Sequence, residues 1–508
     1  MCKLYYSSSW PIVLFVLSAV SIAQATHLRG GQISYVSLGN DQYRVRVEQY
    51  MDQTSGASTD LTEWLVCKRN GCAGTGTGSF IVEFESTRVA TTPATCPPAV
   101  PLVMVAGEIT VTLPPGQWAL SIEGGNRSQN TNLAQASNKG MYLQAFLDNT
   151  RGQADSSPKF TELEVPSVGL NTLQRYSFAA FDADGDLLVY YLAPAMWATF
   201  DVPNTFVCPE PMEYTSYSAG SINDPATGQS LSYPAGQFSA GFPFLSFRAN
   251  AGTLTPWVDF NAATGLLQAI PVAQGVYSVA VLVQEYRSFN GTAVLIGSVL
   301  REVPYTVKAT DNVNPSLTLL KGNTTLPIDE PINVQPGQNL SLTLVGTDPD
   351  AGQTLRLSSN AESLLPGATF QPGTTASSAQ FTWQVPTSTT QGLYSFSVRV
   401  ADDACPANGI DSRTITLHIS GLPLAAGTSE DLGAIAAYPT PFTNSVQFQL
   451  PVRKVQDILV TDGLGREVAR LSSRPDGRVS WQTNALPAGM YFARTIDGSH
   501  AVRLVKAK

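Results

Sequence analysis

The sequence predicts an all-β protein built from β-sandwiches in tandem. Three observations predict it. Short apolar runs alternate with polar residues at period two, the period of a half-buried strand. Glycine and proline are plentiful, 41 and 34 of 508 residues, and break those runs as turns. The echo Gly275-Val276-Tyr277-Ser278-Val279 and Gly392-Leu393-Tyr394-Ser395-Phe396 marks one β-module used twice.

Taken in order, residues 1–25 read as a signal peptide. Lys3 precedes the apolar run Trp10 to Val20, and Ala23-Gln24-Ala25 supplies a small-residue cleavage site. No other apolar run is long enough to cross a bilayer as a helix. Residues 26–164 are expected to form a first sandwich. Tyr43, Val45 and Val47 share one face, and Glu108 to Leu113 returns through Pro114-Pro115-Gly116 to the strand at Trp118. Residues 165–310 are expected as a second β-domain, with an aromatic insertion from about Pro203 to Trp257. Residues 311–420 repeat the plan, residues 421–434 form a small, polar linker, and residues 435–508 form a small terminal sandwich.

The net charge of −9 and the lack of a basic stripe argue against nucleic acid as a partner. Export implies an oxidising compartment, so Cys67, Cys72 and Cys96 are disulfide candidates, their pairing open. The Cys-x4-Cys spacing of Cys67 and Cys72 lacks the further ligands of a zinc site. Three histidines spread over the chain do not suggest a nucleophile–base pair, so no catalytic residue is named and the chain reads as a non-enzyme. Paired acids of a glycosidase would not be visible in sequence.

Two acidic turns are the candidate metal sites. Asp182, Asp184 and Asp186 alternate through one turn, and Asp348 and Asp350 form a weaker copy that Asp402 and Asp403 could approach. Oxygen-only donors at close spacing suit Ca²⁺, and the glycine falls too early for an EF-hand. The ordinary alternative is that Asp and Gly are there because turns favour them. In the insertion, Tyr214, Tyr217, Tyr233 and Trp257 are candidate ligand-binding rings for a glycan or a protein, against the plainer expectation that they fill a loop-rich core.

The terminal stretch carries four motifs in order. They are Tyr438-Pro439-Thr440-Pro441, then Asp462 to Val468 with Gly465 and Arg466, then Leu486-Pro487-Ala488-Gly489-Met490-Tyr491, and a basic end with Lys506. In this order they resemble the C-terminal sorting domain of the type IX secretion system of Bacteroidetes-type bacteria; Thr440 stands where that family usually has Asn. The resemblance implies a translocon and a sorting-domain peptidase as partners, with Pro439, Pro441, Gly465, Arg466, Gly489, Tyr491 and Lys506 as the sorting motif. The opening His27 to Tyr35 is similar to gliding-motility-associated and adhesin-like surface proteins of the same bacteria. The Asp182 and Asp348 turns with their Gly-x-Tyr-Ser strands resemble cadherin-like or Ig-like bacterial repeats. Together these imply a secreted or cell-surface protein, reached through the periplasm, that adheres to an unknown extracellular protein or glycan. The alternative is a carbohydrate-binding or carbohydrate-active exoprotein.

Overall fold

The computed structural model describes residues 27–506 apart from 54–58, 72–77, 90–101, 163, 200–207, 225–226, 251, 290–291, 374, 376, 421–435, 439–441, 451–454, 463–466, 484–485, 488 and 496–500. The expected signal peptide 1–25, the linker 421–434, and Cys72, Cys96, Pro439, Pro441, Gly465 and Arg466 lie outside the described residues. The fold is all-β: the one α-helix among the described residues is the single turn Ala361–Leu364. Alternation in sequence sorts the side chains. In Gln42–Asp52, Tyr43, Val45 and Val47 are buried while Gln42 and Arg44 are exposed, because successive side chains leave a strand on opposite faces. Each fully buried valine contributes about 1.5–3 kcal/mol relative to an exposed one.

An eleven-stranded sheet dominates the N-terminal part. It runs His27–Gly39, Gln42–Asp52, Leu102–Thr112, Phe80–Arg88, Leu61–Arg69, Gln117–Arg127, Gly140–Asp148, Thr292–Lys308, Gly275–Phe289 and Leu187–Ala193, with Ser167–Gly169 beside Thr292–Lys308. The sheet folds back on itself where Leu28 bridges Arg127 and Gly31 bridges Glu302. Gly30 permits this closure. A Cβ there would lie 2.1 Å from the Glu302 carbonyl oxygen.

This corrects the expected boundary between 26–164 and 165–310. The residues on either side of it are not two folding units. Gly297–Leu300 pair with Gln144–Leu147, and one core holds Tyr35, Trp118 and Leu143 together with Tyr277, Val299 and Tyr305. Arg127 and Glu302, one from each side, form a fully buried ion pair. The Ser278 hydroxyl donates to the same Glu302 oxygen at 2.6 Å, and Arg127 donates to the Met196 carbonyl at 2.6 Å. A two-domain reading misses this because pairing between distant strands leaves no local mark in sequence.

Residues 316–419 build a second sandwich around Leu340, Phe381, Trp383, Phe396 and Leu417. One sheet orders Thr324–Leu326, Ser316–Lys321, Asn339–Thr347, Ser378–Gln384 and Ala368–Pro372. The other contains Arg356–Ser359, Gly392–Ala401, Ile410–Ile419 and Ile332–Val334. A single pair, Arg175 with Asp411, extends it to Gln174–Ser177, Leu266–Ala269 and Val258–Phe260. The C-terminal unit packs a three-stranded sheet on the four strands Glu467–Ser472, Asp457–Asp462, Gly489–Thr495 and Ala501–Lys506, with Phe448, Val460, Trp481 and Leu504 inside. Among the described residues no helix is long and apolar enough to cross a membrane.

Candidate functional site

Glu285 and Arg287 sit on the strand Gly275–Phe289, where Tyr277, Val279, Val281 and Val283 are buried on the same alternating face. The apolar series therefore ends in two charged residues that still point inward. Gly297 pairs with Glu285 beside a register shift, and a Cβ at Gly297 would lie 2.4 Å from a Glu285 carboxyl oxygen. The missing side chain is the space the carboxyl fills.

The Asp182 turn meets this pair. Asp182 Oδ1 accepts the N–H groups of Asp184 and Gly185 at 2.6 and 2.8 Å, an Asx turn that needs the left-handed backbone of Gly185 (φ 80°). Asp155 arrives from the segment after Gly140–Asp148. That segment is held to the first strand by the Ser157 N–H donating to the Tyr35 carbonyl at 3.0 Å, and to the turn by the Ser156 N–H donating to Asp184 Oδ2 at 2.9 Å. One carboxylate oxygen from each of Asp155, Asp184, Asp186 and Glu285 lies within 4.8 Å of the others.

Arg287 is threaded into this cluster. Its Nε donates to both Asp186 oxygens at 2.9 and 3.0 Å, Nη2 to Asp155 Oδ1 at 2.7 Å, and Nη1 to the Ala154 carbonyl at 3.0 Å; Asp184 stands 3.7 Å away. Three acids, Asp155, Asp184 and Asp186, thus surround one guanidinium. Burial and then the neighbouring Asp182 hold the Glu285 carboxyl well above the usual carboxylate range. Burial raises Asp182 as well, opposed by its hydrogen bond with Glu285. Asp155 is pushed up to about 7 by burial, against the pull of Arg287. Burial lowers Arg287, but Asp186 and Asp155 outweigh it and hold the guanidinium above its ordinary range.

Of the expected acids, Asp182, Asp184 and Asp186 do converge; Asp155, Glu285 and Arg287 were missed. The signal for two of them was present, since charges at 285 and 287 continue an apolar face and buried charges need partners. Only about 10 Å³ of cavity borders the cluster, lined by Asp155, Arg287 and Phe289 among others, which leaves no room for a sugar between paired acids.

The second acidic turn shares the local geometry. The Asp350 N–H donates to Asp348 Oδ1 at 2.8 Å, and Asp348 Oδ2 is buried without a hydrogen-bond partner. Asp402 accepts the Asn312 amide at 2.8 Å and the N–H groups of Ala404 and Gly409. Asp350 Oδ2 accepts the Val313 N–H at 2.8 Å, and Asp403 accepts the Thr354 N–H at 2.9 Å. Burial, then Asp402 and Asp350, raise Asp348. Asn312, Asp350 and Gln353 line a cleft of about 550 Å³ that also contains Asp311 and Cys405. Among the described residues no arginine or lysine forms an ion pair with Asp348, Asp350, Asp402 or Asp403.

The aromatic insertion is occupied with itself. Tyr217 lies against Phe238 and Phe242, and Tyr233 stacks on Phe247 at 4.7 Å. Each tyrosine also covers a cross-strand glycine, Tyr217 over Gly236 and Tyr233 over Gly220. The expectation of open platforms is corrected for these two, whose rings close gaps that glycine leaves. Tyr214 is half-buried, its hydroxyl pushed up to about 12 by burial, and Arg248 covers the half-buried Trp257 at 5.0 Å. Cys67 is corrected as a disulfide candidate, because it is a free thiol pointing into the core of the strand Leu61–Arg69. Cys208 and Cys405 are each disulfide-bonded.

In the C-terminal unit, Tyr491 is a core residue whose hydroxyl donates to the Pro487 carbonyl at 2.7 Å and whose ring meets Trp481 edge-on. Gly489 pairs with Lys506. Lys506 is buried, its ammonium donating to the Thr443 carbonyl and lying 5.8 Å from the Phe442 ring centre. The basic end is thereby stitched to the start of its own domain.

Residues 436–506 match the family described as secretion system C-terminal sorting domain. This is a sorting tail of type IX secretion, and it directs export to the cell surface or the extracellular space. No curated protein sequence matches the chain. Among solved structures, the chain is similar to Drosophila N-cadherin EC1-4 at 12% identity, over 52% of this chain and 66% of that one, with a TM-score of 0.21. Human CDH23 EC21-23 matches at 15% identity over 52% and 87%, with a TM-score of 0.17. The zebrafish RET cadherin-like domains 1 to 4 match at 11% identity over 83% and 92%, with a TM-score of 0.15. At these scores the all-β assignment rests on the chain's own strand pairing.

Proposed function

We propose that this chain, exported on its sorting tail, is a non-catalytic surface or secreted protein whose β-units ahead of that tail adhere to an extracellular protein or glycan. The observation that carries the reading is the match of residues 436–506 to a sorting domain. Everything before residue 420 is then cargo, built around two large apolar cores. A signal peptide at 1–25 would take the chain to the periplasm, and a peptidase would remove the sorting domain at the outer membrane. The aromatic insertion does not favour the carbohydrate alternative, because the faces of Tyr217 and Tyr233 are taken.

The same reading includes structural calcium at the Asp348 turn. The residues fit the ion: Asp348 Oδ2 and Gln353 Oε1 are buried acceptors without a donor, and Asp350, Asn312 and Gln353 line a nearby cleft. Bound there, the ion would supply positive charge to acids that, among the described residues, form no ion pair with an arginine or lysine, and would stiffen the turn.

The test is export and attachment together, in a host with the type IX machinery. A chain ending at Ser420 should remain in the periplasm, while the full chain reaches the surface and raises cell attachment to a matrix-coated plate. Arrival of the truncated chain outside would overturn the export route. Normal export with unchanged attachment would overturn adhesion alone.

A further inference from the structure

We propose that the two β-bodies ahead of the sorting tail, the one up to residue 308 and the sandwich 316–419, are locked at one angle and act as a single arm without a hinge. The lock is made by the chain's own groups along the seam between the bodies. The inference concerns how the cargo is held and not what it binds, so it stands apart from the adhesive reading.

A connector alone would leave a hinge. Residues 309–315 join the last strand of the first body to the first strand of the second. Relative motion is the ordinary expectation for neighbouring domains unless the interface between them holds. Here separate segments of each body meet across the seam.

The first meeting is in the sheet. Arg175 pairs with Asp411, so Gln174–Ser177 of the first body runs beside Ile410–Ile419 of the second. Next to that pair the buried hydroxyls of Ser177 and Thr414 lie 2.6 Å apart, and Thr414 donates to the Thr264 carbonyl at 3.1 Å. Asn314 of the connector donates to the Leu173 carbonyl at 2.8 Å and to Gln174 Oε1 at 2.7 Å.

The second meeting is polar. The Asn360 amide donates to the Thr161 carbonyl at 2.7 Å and accepts the Ser397 N–H at 2.9 Å, while the Thr161 and Ser397 hydroxyls bond directly. Arg399 pairs with Glu164. The Glu162 carboxyl, raised by burial, is drawn back by Arg399 of the second body and by Arg301 of the first.

The third meeting is backbone on backbone. The Leu393 N–H donates to the Gly185 carbonyl at 3.3 Å, and a Cβ at Gly392 would lie 2.4 Å from the same oxygen. Phe181 lies against the Tyr394 ring at 6.1 Å and packs on the second core. Arg287 clamps Asp155 and Asp186, so the turn that meets Gly392 is held from within the chain. With contacts in separate segments of each body, a swing about one of them breaks the others. Where the pairs are buried, as at Ser177 and Thr414, a small tilt breaks a hydrogen bond before water can replace it. A load on the first body therefore reaches the second without a hinge to take it up.

Pulsed electron-resonance distances on the full chain test the inference, with spin labels on cysteines replacing the exposed Leu187 and Gln371, one in each body. One narrow distance distribution is expected, the same in chelator as with calcium added. Gly392→Val should at least double its width, with the circular dichroism of the β-bodies unchanged. A broad distribution for the unaltered seam, a narrow one that needs calcium, or a width that Gly392→Val leaves unchanged overturns the inference. If Gly392→Val does not fold, the double variant Asn360→Ala, Thr414→Val decides: broadening supports the lock and an unchanged width overturns it.

Discussion

The two acidic turns are the instructive pair. Asp182-Ala183-Asp184 and Asp348-Pro349-Asp350 fold alike, each with the first carboxylate accepting the N–H two residues on. Their surroundings differ. The first turn is clamped against a strand that brings Arg287 into it, and its acids are mostly buried. The second opens onto a cleft: Asp350 and Asp402 accept from an amide and backbone N–H groups, Asp348 Oδ2 is left without a donor, and no opposing cation pairs with these acids among the described residues. One local motif thus serves two electrostatic designs, and the difference lies in the partner strand.

Removing the internal cation should give the largest effect. Arg287→Ala, unfolded by urea in metal-free buffer at pH 7.5, should lose about 3–5 kcal/mol, the cost of leaving buried carboxylates without their counter-charge. A loss under about 1 kcal/mol would break the comparison, because the first turn would then need its cation no more than the second does.

A pH dependence should belong mainly to the first turn. Asp155 binds its proton more tightly folded than unfolded, about 7 against an ordinary 3.8. The stability it contributes is complete below about pH 4 and is lost as pH rises through about 7. The protein should lose about 4 kcal/mol across that window. Asp155→Asn should flatten the loss. A stability that rises with pH would contradict the sign.

Next comes the second turn's own anchor. Asp402 is buried and accepts three hydrogen bonds, so Asp402→Ala orphans Asn312 and two N–H groups. A loss of about 2–3 kcal/mol is expected from the same urea curves.

The smallest effect should be Asp350→Asn in metal-free buffer. The amide oxygen still accepts from Val313, so the change stays within about 0.5 kcal/mol by thermal melting. With calcium present, the wild type alone should melt higher. Equal melting with and without the ion would remove calcium from the second turn.

Much of the fold was legible because β-structure writes itself locally. Tyr43, Val45 and Val47 alternate in sequence and are buried together. The Asp182 and Asp348 turns were visible as turns for the same reason. Tyr217 and Tyr233 were legible only as aromatics, since their cross-strand glycines, Gly236 and Gly220, come from neighbouring strands. Cys67 was read by compartment and spacing, but its place on the inward face of a strand decided its state.

By itself the sequence determined an all-β chain ending in a sorting domain, and it put three of the five converging acids in one turn. These are properties of contiguous residues, fixed by side-chain period and turn chemistry. Tertiary structure alone decided that strands from 27–148 and from 187–308 share one sheet and one core, and that Asp155, Glu285 and Arg287 complete the cluster. The reason is physical: strand pairing joins residues more than a hundred positions apart, and electrostatic energy depends on distance in space, which the order of residues does not record.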